Sequence, residues 1–114
     1  MLKSARLITM LCLSLMAVSV QAKVNMLALN DMSCAAWKAS KDEPEQRATY
    51  TAWMLGFLTG YNYGEQKKQV SSMSSGTIEN FTDRYCASNP TEKFSDAAFQ
   101  MSDQFSGRNE PLKK

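Results

Sequence analysis

Histidine is absent from this chain of 114 residues. Its absence removes the usual general base of hydrolases, the commonest nitrogen ligand of zinc, and the side chain that changes charge between about pH 5 and 8. Beyond residue 22, the sequence also lacks stretches that alternate apolar and polar residues as half-buried strands do. We therefore expect an all-α protein with no metal site, no cofactor and no catalytic residue.

Residues 1–22 have the pattern of a secretory signal peptide. Lys3 and Arg6 precede an apolar stretch, and Val20-Gln21-Ala22 gives the small-x-small pattern of a cleavage site. The apolar stretch is shorter than the roughly 20 residues that a membrane span needs, which favours cleavage over a retained anchor. We predict that the segment is removed and that 23–114 forms one exported domain without a membrane anchor.

Neither sign of charge is in excess once the signal peptide is removed. Without Lys3 and Arg6, the 13 basic residues fall to 11, which equals the 11 acidic residues, and the formal net charge of +2 becomes zero. The lysine pairs at 67–68 and 113–114 are isolated, so no nucleic-acid partner is expected. Protonation of all the carboxylates in acid would raise the net charge to about +11.

Cysteine is scarce in the mature chain, which retains only Cys34 and Cys86. An even number of cysteines in an exported protein favours a disulfide, with two free thiols or an intermolecular bridge as the alternatives. A bond between positions 34 and 86 would close a large loop, for which chain entropy gives a stabilisation of about 4 kcal/mol.

Helix signals divide the mature chain into four segments. Each segment begins at a residue that can cap a helix or at a proline, and each is separated from the next by polar residues, proline or glycine. We expect a small four-helix orthogonal bundle stapled by one disulfide, with its core in 32–105, a loose lead-in at 23–30 and a polar loop at 65–76. The predicted helices run from Asp31 or Ser33 to about Lys38, from Glu45 to about Tyr61, from near Thr77 to Asn89, and from Thr91 or Ser95 to Gly107.

Small residues recur every four positions along the predicted second helix. Such a row makes a groove on a helix surface, into which another helix can pack closely. We favour packing of a neighbouring helix of the same domain; a groove for self-association and a cleft for a small ligand are the alternatives. The row consists of Ala48, Ala52, Gly56, Gly60 and Gly64.

Large apolar residues at helical spacing form the predicted core. If the protein opens, some of them would form a dimer surface or a surface for client proteins. By contrast, the charged pairs Asp42-Glu43 and Asp83-Arg84 are expected to be solvated. The predicted core residues are Trp53, Phe57, Phe81, Tyr85, Phe94 and Met101.

Three short segments resemble the HdeA/HdeB acid-stress chaperones, on the HdeB side of that family. They are MSCAAW at 32–37, AWMLGFLTG at 52–60 and YCASNP at 85–90, and the likeness covers about 32–105. The resemblance implies a helical protein of the Gram-negative periplasm with one disulfide, between Cys34 and Cys86. It further implies a homodimer near neutral pH that opens in strong acid and holds unfolding periplasmic clients without ATP.

A second hypothesis is an interaction protein of a different class. Small exported helical proteins with a disulfide also act as immunity proteins that inhibit secreted cell-wall amidase toxins. In that case the loop at 62–76, with Asn62 and Tyr63, would be presented to one protein partner.

Overall fold

The structure, a computed structural model, describes residues 25–108, so the predicted signal peptide lies outside the described residues. Four α-helices form a bundle, and a short 3₁₀ turn at Ser40–Asp42 joins the first two, which confirms the predicted fold class. No helix in the described part of the chain is long and apolar enough to cross a membrane. The helices are α1 (Cys34–Ala39), α2 (Pro44–Gly64), α3 (Ser75–Ser88) and α4 (Phe94–Phe105).

The starts of the first three helices follow from local chemistry. The Ser33 hydroxyl accepts a hydrogen bond from the Ala36 N–H at 3.0 Å, and Pro44 occupies the first turn of α2, where its missing N–H costs nothing. Helix α3 begins earlier than the prediction near Thr77, because the Ser74 hydroxyl accepts from the Thr77 N–H at 3.2 Å.

Helix α4 begins differently from the prediction of a Thr91 or Ser95 cap. Its N-cap residue is Lys93, which makes no side-chain capping bond. Instead, the Phe94 N–H donates to the Met32 carbonyl at 2.8 Å, in an antiparallel bridge between residues 32–33, just before α1, and the α3–α4 connection. A tertiary contact therefore replaces the local cap, while Ser95 is buried and its hydroxyl has no hydrogen-bond partner among the described residues.

A disulfide between Cys34 and Cys86 ties α1 to α3, as predicted, with the two Cα atoms 5.2 Å apart. The Cys34 N–H also donates to the Glu92 carbonyl at 2.9 Å. Because α1 has only six residues, it could not hold its position by helix propensity alone. The covalent bond and the backbone pairing together fix it against the ends of α3 and α4.

The core lies between α2, α3 and α4, with Trp37 of α1 closing one end. Phe94 and Met101 are completely buried, as predicted, and the Phe94 ring centroid lies 4.7 Å from that of Tyr50 and 5.7 Å from that of Trp37. The other predicted core residues lie at the margin of this cluster and are only partly buried. They are Trp53, Phe57, Phe81 and Tyr85.

The described part of the predicted lead-in, residues 25–30, has no regular secondary structure and is mostly exposed, but it is not entirely loose. Leu29 is partly buried against the core. In addition, the Trp53 indole N–H donates to the Leu27 carbonyl at 3.0 Å. One partly buried side chain and one side-chain hydrogen bond therefore attach this segment to the bundle.

Candidate functional site

Arg47 is the centre of a polar cluster where α1, the 3₁₀ turn, α2 and α3 meet. Its side chain is only 11% exposed, and the guanidinium carbon lies 3.8 Å from the centre of the Trp37 ring. The guanidinium donates to the Ser40 hydroxyl at 2.8 Å and to the Trp37 carbonyl at 2.7 Å. Arg47 thus covers the indole and adds a hydrogen bond to the Trp37 carbonyl, which also accepts from the Ser40 hydroxyl at 2.6 Å.

Asp83 of α3 completes this arrangement, which we name the Arg47 cluster (Trp37, Ser40, Arg47 and Asp83). Its Oδ1 accepts a hydrogen bond from the Trp37 indole N–H at 2.8 Å and lies 3.5 Å from a guanidinium nitrogen of Arg47. The Asp83 side chain is 56% exposed, so it is solvated as predicted but also bonded to two other helices. One carboxylate oxygen therefore joins α1, α2 and α3.

The row of small residues on α2 faces solvent, so the favoured prediction of internal packing is wrong. All five residues of the row are exposed. Among the described residues, no atom of a neighbouring element lies within 4 Å of where a Cβ would stand at Gly56, Gly60 or Gly64. Helix α2 instead buries the face that carries Tyr50, Met54 and Leu58.

Replacing Gly56 or Gly60 with alanine is expected to stabilise the protein. Each glycine lies inside a helix and in open space, so the added methyl group meets no obstacle while the helix gains up to about 1 kcal/mol of propensity per substitution. Urea unfolding of each single variant at neutral pH should show a higher midpoint at unchanged slope.

Ala52→Gly is the matched control for these variants, because it makes the opposite substitution in the same exposed row. It should lower the free energy of unfolding by a similar amount. If Gly56→Ala and Gly60→Ala destabilised the protein instead, the row would be packed against another element or another chain.

The loop that follows α2 is held by one asparagine. The Asn62 side chain donates to the Val70 carbonyl at 2.8 Å and accepts from the Val70 N–H at 2.7 Å, as a neighbouring strand would. The Tyr61 hydroxyl also donates to the Lys68 carbonyl at 3.0 Å, and Val70 is buried. Tyr63 is 86% exposed, but it lies in the last turn of α2 and not in the loop, which begins at residue 65. The predicted presenting loop at 62–76 is therefore shorter than expected and is fixed to α2, and the exposed aromatic side chain belongs to the helix.

A second cation–π contact, made by Arg108, links the end of α4 to α2. The Arg108 guanidinium lies 5.1 Å from the centre of the Tyr61 ring and donates to the Tyr61 hydroxyl at 3.2 Å. Arg108 also forms an ion pair with Asp103 of α4. Just before it, Gly107 has a φ of +74°, a conformation that suits glycine after a helix end and confirms the predicted stop.

Two titratable groups in the described chain have shifted pKa values. Hydrogen bonds from the Ser33 side chain and backbone lower the pKa of Asp31. Burial, followed by the negative charges of Asp96 and Glu92, raises the pKa of Tyr85. The Asp31 contribution to stability is present above the pKa of an unfolded aspartate and is lost as the pH falls through the lowered pKa of the folded state. Loss of this contribution therefore weakens the fold only in strong acid.

Metal-binding groups of three or more histidine, cysteine, aspartate or glutamate side chains are not found within residues 25–108. Comparisons of the chain with protein-family models, with curated proteins and with solved structures find no match.

Proposed function

We propose that this protein is an ATP-independent, acid-activated holdase of the Gram-negative periplasm, similar to the HdeA/HdeB chaperones. The observation that carries the proposal is the way the helices are joined. The disulfide ties α1 to α3, whereas α2 contains no cysteine and is held by noncovalent contacts. Partial loosening can thus move α2 while the rest of the chain stays linked.

Helix α2 brings the apolar surface that a holdase requires. Residues 48–64 include no charged side chain, and the face turned towards the core carries Tyr50, Met54 and Leu58. Trp53 and Phe57 flank this face and are partly buried. In the closed bundle Tyr50, Met54 and Leu58 are buried. Once uncovered, they would form a continuous apolar surface with Trp53 and Phe57 that unfolded proteins could bind.

The balance of charges supports activation in acid. The mature chain has 11 basic and 11 acidic residues, once Lys3 and Arg6 are set aside, and no histidine. Its net charge therefore changes little around neutrality and rises steeply where carboxylates protonate, at about pH 4 and below. Repulsion on this scale loosens a small bundle and keeps complexes with clients soluble.

The test is a client-aggregation assay with purified residues 23–114. An acid-labile enzyme is acidified to about pH 3, where most carboxylates are neutral, and light scattering is followed with and without the protein. We expect suppression at about one protein chain per client and none at neutral pH. Sedimentation at both pH values shows whether a neutral-pH dimer dissociates. A client that aggregates equally with and without the protein throughout the acidic range would refute the proposal.

A second candidate function is an inhibitor of a secreted cell-wall amidase, and one observation favours it. Tyr63, in the last turn of α2 beside the loop that Asn62 fixes, lies almost fully in solvent, and a rigid, exposed tyrosine is typical of a residue that dominates a protein interface. This function predicts tight one-to-one binding to an amidase at neutral pH. Tyr63→Ala should weaken that binding at least tenfold, whereas Leu55→Ala, at another exposed position of α2, should not.

A further inference from the structure

We propose that a groove on α2 binds an extended segment of a partner protein, one that carries an aromatic residue and no acidic residue, and that the lead-in competes for this groove. We name residues 25–30 the arm, and we name Gln46, Thr49, Tyr50 and Trp53 of α2 the arm groove. The groove is present in the closed bundle, so this inference goes beyond the holdase function and does not depend on acid.

The arm groove is one face of α2 with the arm beside it. Its four residues recur at i, i+3, i+4 and i+7, which is the spacing of a single helical face. The Trp53 indole N–H donates to the Leu27 carbonyl at 3.0 Å. Two residues further along, Leu29 lines an open cavity together with Thr49 and Tyr50. The arm is thus held as a bound peptide would be, through its main chain and one aliphatic side chain.

The arm leaves part of this groove empty. A cavity of about 370 Å³ remains between the arm and α2, and its lining combines the polar side chains of Gln46 and Thr49 with the apolar ones of Tyr50 and Leu29. An aromatic ring in place of the leucine would fill more of that space and remove more apolar surface from water. A partner segment with such a ring therefore fits the groove better than the arm does.

The charge beside the groove excludes acidic ligands. Among the described residues that line the cavity, Asp31 carries the one charged side chain, and Glu45 directly precedes Gln46 on α2. An acidic residue of a ligand would meet the Asp31 carboxylate and be repelled by it. The arm itself has no charged residue, which indicates the kind of sequence that the groove accepts.

The arm is held weakly enough to leave the groove. Within the described part of the chain, no backbone hydrogen bond joins 25–30 to the bundle, and the one side-chain bond, from Trp53, is exposed. Ordering of the arm costs conformational entropy, so a segment with so few contacts opens locally without unfolding of the bundle. The Phe94 N–H bond to the Met32 carbonyl fixes the chain just beyond it. The arm is therefore a tethered competitor.

The groove is tested with a dye-labelled peptide on disulfide-bonded protein, residues 23–114, at neutral pH. The probe is a capped peptide with the sequence of residues 25–30 in which Leu29→Phe supplies the aromatic ring. Fluorescence anisotropy should show saturable binding in the micromolar range. The same peptide with the unchanged sequence should bind about fivefold more weakly, because leucine fills less of the cavity.

Release of the arm should strengthen binding of the probe. Leu29→Asp in the protein removes the aliphatic contact, and the probe should then bind about fivefold more tightly, because a larger fraction of the molecules has an open groove. Leu27→Asp is the matched control, since it makes the same change at a side chain that is 85% exposed, and it should leave the affinity unchanged. Leu29→Phe in the protein should hold the arm more firmly and weaken binding of the probe.

Obstruction of the groove should abolish binding. Thr49→Phe places a ring at the cavity that Thr49 lines. Thr59→Phe is its matched control, because Thr59 is also exposed on α2 and its hydroxyl likewise donates to the carbonyl four residues earlier. Circular dichroism verifies that each variant is folded. Equal affinity of the probe for Thr49→Phe and Thr59→Phe would place its binding elsewhere and overturn the assignment.

Two further outcomes would refute the proposal. One is the absence of binding to the Leu29→Asp protein at probe concentrations up to about 1 mM. The other is a dimer of the unaltered protein that Leu29→Asp dissociates in sedimentation, which would mean that the arm of a second copy fills the groove. Because all these measurements are made at neutral pH without an aggregating client, none of them decides the holdase function.

Discussion

Replacing Cys34 and Cys86 together with alanine is expected to lower the free energy of unfolding by about 4 kcal/mol. The disulfide joins residues 52 positions apart. In the chain-entropy model the bond restricts the unfolded chain, so its removal raises the entropy of the unfolded state and favours unfolding. A domain of this size has a total stability of about 5–10 kcal/mol, so the variant should be close to its unfolding threshold at room temperature.

Urea unfolding at neutral pH, followed by circular dichroism, measures this loss. The matched control is the unaltered protein with its disulfide reduced, which retains both sulfur atoms in the core and lacks only the covalent bond. Both forms should lose a similar amount of stability. If the reduced protein kept the midpoint of the oxidised one, the disulfide would not be a stabilising link, and α1 would be held by its backbone contacts alone.

The second large effect is expected for Phe94→Ala, which should cost about 3–5 kcal/mol. Phe94 is completely buried, and its ring contacts those of Trp37, Tyr50 and Trp53. The substitution removes apolar surface and leaves a cavity where α1, α2 and α4 meet. The bridge between Ser33 and Lys93 holds the backbone there, so the cavity cannot collapse freely.

Phe105→Ala is the control for this substitution, since Phe105 lies on the same helix but is 39% exposed and contacts the ring of Phe81 at its edge. It should cost about 1 kcal/mol, in keeping with its partial burial. Thermal unfolding by calorimetry distinguishes the two variants, because the difference between them corresponds to a shift in Tm of roughly 10 °C or more in a domain of this size. Equal losses for Phe94→Ala and Phe105→Ala would mean that the core is centred elsewhere.

Much of the secondary structure could be predicted because its signals are local. Ser33 caps α1, Pro44 opens α2 and Gly107 closes α4, each through bonds or backbone angles set within a few residues. The apolar period of α4 likewise identified Phe94 and Met101 as core residues. The disulfide followed from counting: if residues 1–22 are removed as predicted, two cysteines remain, and they have one intramolecular pairing available.

The face that α2 turns to the core could not be predicted in this way. Its sequence offers two rows at helical spacing, one of small residues through Gly56 and one of large residues through Met54. Spacing shows that each row is continuous but not which row meets a neighbour. The bundle buries the large row because burial of side chains such as Tyr50 and Leu58 removes more apolar surface from water than a glycine groove could.

The sequence by itself determined the number and order of the helices, most of their ends, and the single covalent link. Tertiary structure alone decided the Arg47 cluster, because its members come from three helices and Trp37 bonds to Asp83 across 46 positions of sequence. A lone arginine and a lone aspartate carry no local signal of each other. Their contact exists only because packing of the apolar faces brings α1, α2 and α3 to one point, where the nearly buried Arg47 side chain meets the Asp83 carboxylate.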